Sequence, residues 1–197
     1  MLFRSPANGI RKLKIDWGPL EDDGAGDADP QVARRVVEFL GRQHDRPFFL
    51  GCGFVGTHIP WYAPQRYFNR FRPEDVKLPP YLAGDLNDVP KSAIRPQALQ
   101  HHRQIVAAGA WQRAVAAYLA CIHYVDDSLG RVLAALAAGP YRDNTVVVLW
   151  ADHGWHLGEK DHWQKFTLWE RSCRVPDRKS TRLNSSHIQK SRMPSSA

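Results

Sequence analysis

Five apolar residues in a row, Val146, Val147, Val148, Leu149 and Trp150, lie inside "NTVVVLWAD" (144–152) and constrain the fold more than any other stretch. A strand with one wet face alternates apolar and polar side chains. This one does not alternate, so both of its faces are expected to be buried. Just before it, "WQRAVAAYLACIHYVDDSLGRVLAALAAG" (111–139) places Val115, Tyr118, Leu119, Ile122, Val125, Leu129, Val132, Leu133 and Leu136 at the helical period. Gly139 and Pro140 then stop the helix. A long helix feeding a strand apolar on both faces predicts an α/β fold, a mostly parallel sheet flanked by helices.

The same order occurs upstream. "PQVARRVVEFLGRQH" (30–44) has helical spacing, with Pro30 at its start, where no amide hydrogen is needed. Asp45 and Pro47 break it, and "PFFLGCGF" (47–54) predicts a second buried strand. Residues 55–96 contain seven prolines and leave room for one short helix at 64–71. A long irregular stretch inside a compact domain is more often a functional loop than filler.

A chain of 197 residues with 43% hydrophobic and 11% aromatic content has enough apolar material for one packed domain. Its net charge of +7 invites a nucleic-acid reading, but residues 177–197 carry five Lys/Arg against one Asp and so hold +4 of it. That serine-rich tail has no aromatic residue and no periodic pattern. It is expected to be a disordered basic appendage not native to the domain, which occupies 1–176. The remaining charge calls for no specific nucleic acid. Cys52, Cys121 and Cys173 have neither disulfide-framework nor zinc-finger spacing and read as free thiols. No apolar run reaches the roughly 18 residues of a membrane span, so no membrane partner is expected. The first 20 residues hold no apolar stretch of signal-peptide length. An export signal would have to lie upstream, and a periplasmic or secreted location stays open.

Chemistry gathers where the predicted strands end. Asp152 and His153 follow the second strand, and "GTHIPW" (56–61) follows the first. In open α/β sheets, ligand-binding groups collect at such strand ends. Asp offers oxygen and His a neutral nitrogen, a pair able to hold a divalent cation. Lys165, beyond "GEKDHW", can return an ammonium to the same edge. A metal, His58 and Lys165 converging on one point describe a site for a tetrahedral oxyanion, sulfate or phosphate. Each residue also has a plainer reading. Asp152 can be a loop start or helix cap, His58 a loop hydrogen-bonder, and Lys165 a solvated charge. Trp61, Trp155, Trp163 and Trp169 can simply be packing. Zinc on His153, His156 and His162 matches no ligand spacing.

The blocks "RPFFLGCGFVGTHIPWYAPQRYF", "AYLACIHYVDDSLGRVLAAL", "RDNTVVVLWADHGWHLGEKDHWQKFTLWE" and "RVP", in this order from about residue 15 to 176, resemble the sulfatase family. The resemblance is to the branch with iduronate-2-sulfatase-like and choline-sulfatase-like bacterial enzymes. It implies an alkaline-phosphatase-like α/β fold and hydrolysis of a sulfate ester, on a sulfated carbohydrate or another small molecule. It also implies a Ca2+ cofactor, with Asp152 and His153 among the metal ligands. His58 would contact the sulfate and the leaving-group oxygen, and Lys165 the sulfate. All four are expected to border one cleft, with His58, Asp152 and Lys165 within roughly 10 Å of one another.

The family's formylglycine nucleophile arises from a Cys/Ser-x-Pro-x-Arg motif, and no such motif stands where the family needs it. "CRVPDR" (173–178) has one residue too many before Pro176 and lies on the wrong side of Asp152. Residues 1–176 therefore read as an interior part of a catalytic domain, without its N-terminal nucleophile region and C-terminal subdomain. Alone, the chain is expected to be inactive and to bind calcium weakly. A phosphodiesterase or phosphatase of the same superfamily is the alternative within this fold. A basic nucleic-acid-binding protein is the alternative outside it, supported by overall charge alone.

Overall fold

The computed structural model describes residues 6–21, 24 and 26–175, together with the backbone of 177–180. In chain order the elements are β1 (Trp17–Leu20), α1 (Ala28–Leu40), β2 (Trp61–Pro64), α2 (Gln65–Phe68), α3 (Pro96–Ala107) and α4 (Trp111–Ala138). They are followed by β3 (Val147–Trp150), β4 (His156–Leu157), β5 (Trp163–Gln164), α5 (Glu170–Cys173) and β6 (Asp177–Ser180).

Helix α4 is the axis of the domain, running from Trp111 to the stop at Gly139 as the sequence predicts. Its buried stripe is made largely of small residues, Ala114, Ala117, Ala120 and Cys121, rather than the larger aliphatics of the sequence pattern. Small side chains let neighbouring backbone approach closely. Ile122 is exposed, while Leu129 and Leu133 are only half-buried. Against this stripe lies a parallel pair, β1–β2, in the register Trp17↔Trp61 to Leu20↔Pro64. Trp61 is fully buried, its ring centroid 5.5 Å from Tyr118, 6.1 Å from Trp155, 6.2 Å from Trp163 and 6.3 Å from Trp17. A second, smaller cluster joins α1 to the end of α4 through Val36, Leu40 and Leu136, with Phe48, Tyr141 and Val147 packed on it.

Helices α1, α2 and α4 fall where the sequence places them, and β3 lies inside the second predicted strand; the first predicted strand does not form. Residues 47–54 form no strand, and Phe49 is 94% exposed. The second predicted strand forms as β3, but it pairs antiparallel with β6 and its Trp150 is 66% exposed. The parallel pairing belongs to β1 and β2 instead. A strand is a ladder, and an apolar segment acquires one only where a neighbour offers its backbone groups. Segment 47–54 has no such neighbour among the described residues. Strand β3 takes the backbone of 177–180, so the start of the tail, expected to lack regular structure, is extended and paired. The rest of that expectation, 181–197, lies outside the described residues. Helix α3, which the sequence pattern did not reveal, begins with a proline and buries Ala98, His101, His102 and Ile105. Two histidines on the buried face hide the apolar period.

Candidate active site

Just past β3, the His153 imidazole is fixed by its two neighbours. Its Nδ1 lies 2.8 Å from the Gly154 carbonyl, which can only accept, so Nδ1 carries the proton. Nε2 is then the acceptor for the Lys165 ammonium, 2.6 Å away. The Asp152 carboxylate lies 3.3 Å from the same Nε2 and is 82% exposed. Asp152 and Lys165 thus meet at the His153 ring and form one contact group with it.

Lys165 reaches this group because the segment after His153 folds back. Strands β4 and β5 pair antiparallel, His156↔Gln164 and Leu157↔Trp163. Their turn begins at Gly158, whose φ is 115° and whose missing Cβ would sit 2.4 Å from the Trp111 ring. Only glycine fits there. Trp111 also donates from Nε1 to the Leu157 carbonyl at 2.7 Å, tying the hairpin to the start of α4. On either side of Lys165, Gln164 and Phe166 hold left-handed backbone at φ 76° and 72°. Such conformations cost on the order of 1–3 kcal/mol each and persist only where the surroundings impose them. Arg95 imposes this one. It donates from Nη1 to the Lys165 carbonyl at 3.2 Å, and its guanidinium lies 4.6 Å from the centre of the Phe166 ring.

Buried histidines hold the rest of the strap. His162 accepts the Arg95 amide at Nε2 (3.3 Å), and its Nδ1 meets the Lys160 carbonyl at 2.5 Å. His156 donates from Nε2 to Thr167 at 2.8 Å, and Thr167 donates on to Ser172 at 2.9 Å. Burial, then repulsion from His162 when that ring is protonated and from the cations Arg171 and Lys160, pushes the His156 pKa down to about 4. Burial also lowers that of His162. Near neutral pH both rings are uncharged structural members.

His58 comes from the irregular loop ahead of β2. Its Nδ1 is committed to the Ile59 carbonyl at 2.8 Å, which leaves Nε2 for a ligand. The indole of Trp155 joins the two halves of the site, with its ring centroid 6.1 Å from that of His58 and 6.3 Å from that of His153. Trp155 Nε1 is buried without a hydrogen-bond partner among the described residues. Sequence reasoning treated Trp155 as packing and overlooked Arg95. An isolated Trp or Arg carries no signal of what it will touch.

The residues present do not make a calcium shell by themselves. Calcium takes six to eight oxygens. Here there is one open carboxylate, and the imidazole nitrogen beside it faces an ammonium. No group of three or more His, Cys, Asp or Glu able to hold a metal occurs among the described residues. What the group does offer is an ammonium and imidazole edges near an open surface, suited to a compact anion.

The family model described as Sulfatase matches residues 6–176. A sulfatase of Formosa agariphila is 39% identical over 168 residues, covering 84% of this chain and 33% of that protein. Mouse iduronate 2-sulfatase is 31% identical over 164 residues, covering 75% of this chain and 29% of the mouse protein. The chain thus spans about a third of the length of the curated relatives it matches. Among solved structures, phosphonate monoester hydrolase of Agrobacterium radiobacter superposes with a TM-score of 0.64 at 20% identity, over 85% of this chain and 37% of that one. That likeness shows that the chain shares part of the α/β fold of that hydrolase. With the family match covering nearly all of the described residues, the chain belongs to the sulfatase family.

Proposed function

We propose that the intact protein carrying this chain hydrolyses sulfate esters, of a sulfated carbohydrate or another small molecule, with His58 and Lys165 holding the sulfate. The observation that carries this reading is the strained strap that presents Lys165 to His153 at 2.6 Å. An ammonium held there by imposed backbone geometry is a preorganised counter-charge for the sulfate oxygens. His58 donates its Nδ1 proton to the Ile59 carbonyl and keeps Nε2 open; in its imidazolium form, with both nitrogens protonated, that Nε2 can place a proton on the departing ester oxygen. Sulfatases generally use a metal ion. We assign Asp152 and His153 as two of its ligands, His153 through Nε2 in place of its present contact with Lys165, in a calcium shell that other oxygens must complete.

The test is turnover of 4-nitrophenyl sulfate by the intact protein and by its Lys165→Ala and His58→Ala variants. Each variant should lose roughly 10²- to 10⁴-fold in kcat/KM, the range for a positioned charge or proton donor. The 197-residue chain, lacking a Cys/Ser-x-Pro-x-Arg motif at the family's position, should turn over nothing and bind calcium at about millimolar affinity or weaker. The second reading, a phosphate- or phosphonate-ester hydrolase, rests on the structural likeness to the phosphonate monoester hydrolase. Faster turnover of 4-nitrophenyl phenylphosphonate than of the sulfate by the intact protein would establish it.

A further inference from the structure

We propose that Asp29 is a positioning residue for His58, setting the place of that imidazole through the backbone of the loop that carries it. The Asp29 side chain projects from the first turn of α1, and the residue is only 5% exposed. A buried carboxylate is costly unless its oxygens are satisfied. A cation would be the usual partner, but here two loop amides serve: Val55 N–H donates to Oδ1 at 2.8 Å and Gly56 N–H to Oδ2 at 2.7 Å. The helix N-terminus adds its own positive end beneath the charge.

Three observations turn this contact into control of His58. The His58 amide donates to the Val55 carbonyl at 2.7 Å, so the residue gripped by Asp29 is the one that closes the turn around His58. Gly56 is clamped, since a Cβ there would lie 2.5 Å from Asp29 Oδ2 and 2.5 Å from Val125 Cγ2 on α4. Finally, the segment leading into the loop, 47–54, has no strand ladder, so sheet pairing does not fix the loop from behind. The grip of Asp29 on two consecutive amides supplies the registration that a sheet would otherwise give.

The assignment rests on reading His58 as a sulfate-contacting group. The test keeps the two separable by using the 197-residue chain, inorganic sulfate as the probe, and NMR of the His58 ring and the Lys165 side chain. Asp29→Asn removes one acceptor and the charge. Gly56→Ala pushes the loop off the carboxylate from the other side. Asp27→Asn is the control, because Asp27 lies at the same helix end but accepts from the Tyr124 hydroxyl at 2.7 Å and not from the loop. Asp29→Asn and Gly56→Ala should shift the His58 resonances and weaken their response to sulfate roughly tenfold. The Lys165 response should stay within about twofold, and Asp27→Asn should change neither. Unchanged His58 resonances and response in a folded Asp29→Asn chain would overturn the proposal, as would an equal effect of Asp27→Asn.

If sulfate moves neither His58 nor Lys165 in the unsubstituted chain, the sulfate-site reading fails. The sulfate-free His58 resonances of the variants still decide whether Asp29 positions the ring. If both loop variants unfold, amide exchange in the unsubstituted chain decides. Val55 and Gly56 amides as slow as those of α1 support the clamp, and exchange at the unprotected rate sinks it.

Discussion

Trp61 and Trp150 are the same side chain near the ends of two short extended segments, and their fates are opposite. Trp61, on β2, is sealed among three other tryptophans and Tyr118 against the small-residue stripe of α4. Trp150, at the end of β3, is mostly in solvent, as is Phe49, and Val148 is half exposed. The difference is not local hydrophobicity, since "VVVLW" is greasier than "WYAP". It is the presence of a helix face on one side and a ladder neighbour on the other. Strand β2 has both; β3 has a ladder to four residues of the tail and segment 47–54 has none. The candidate site straddles this divide. Its lysine hangs from the well-packed half, and its Asp152–His153 pair follows the open strand.

The largest effect that would break the comparison is at Trp61. Trp61→Ala should cost about 3–5 kcal/mol, the range for deleting a large buried aromatic, read as a lower urea midpoint. Trp150→Ala should stay within about 0.5 kcal/mol. Equal losses at the two positions would mean that the open half is packed after all. Next in size is Gly158→Ala, which forces a Cβ into the Trp111 ring and disfavours a φ of 115°. A loss of about 1–3 kcal/mol is expected, with the Lys165 strap loosened as well as the hairpin. Amide exchange across 156–167 should rise before the rest of the chain melts.

The buried histidines of the well-packed half give a smaller, pH-dependent effect. The pKa of His156 is near 4 in the folded chain and about 6.5 when unfolded, so the unfolded state binds the proton more readily. Its contribution is intact above pH 6.5, shrinks as the pH falls below that, and is gone below about 4. His102 and His162, lowered chiefly by burial, act in the same direction. Urea midpoints measured from pH 7.5 down to 4.5 should fall, and His156→Gln should flatten the fall. A midpoint that rises on acidification would contradict the buried neutral imidazoles.

What the sequence made legible follows the same divide. The one-sided helices α1 and α4 could be read because a helix satisfies its own backbone and needs only one apolar stripe. Lys165, Asp152 and His153 could be placed together because a strand end and a short return loop confine them. The actual ladder β1–β2 was not legible, since "WGPL" and "WYAP" carry Gly and Pro and lack a strand pattern. Their pairing depends on residues 44 positions apart, Trp17 and Trp61, meeting over α4. Asp29, Arg95 and Trp155 were invisible for a related reason. Each acts through a contact made across the fold, and nothing in its neighbours announces the partner.

The smallest expected effect on folding concerns the open half and sharpens the comparison most. Val148, Leu149 and Trp150 are exposed on β3, and Phe49, Leu50 and Val55 are exposed in and just beyond segment 47–54. Exposed apolar strand edges are the surfaces through which chains add to one another. The 197-residue chain should therefore self-associate as its concentration rises, although its net charge of +7 opposes this. Trp150→Lys adds a charge where nothing is buried, so its urea midpoint should match that of the unsubstituted chain within error. Its sedimentation profile should nevertheless shift toward the monomer, and Phe49→Lys should do the same. If either substitution lowers the midpoint by as much as Gly158→Ala, the open apolar surface is covered by this chain's own packing. If neither alters self-association, the exposed strand is not the sticky face.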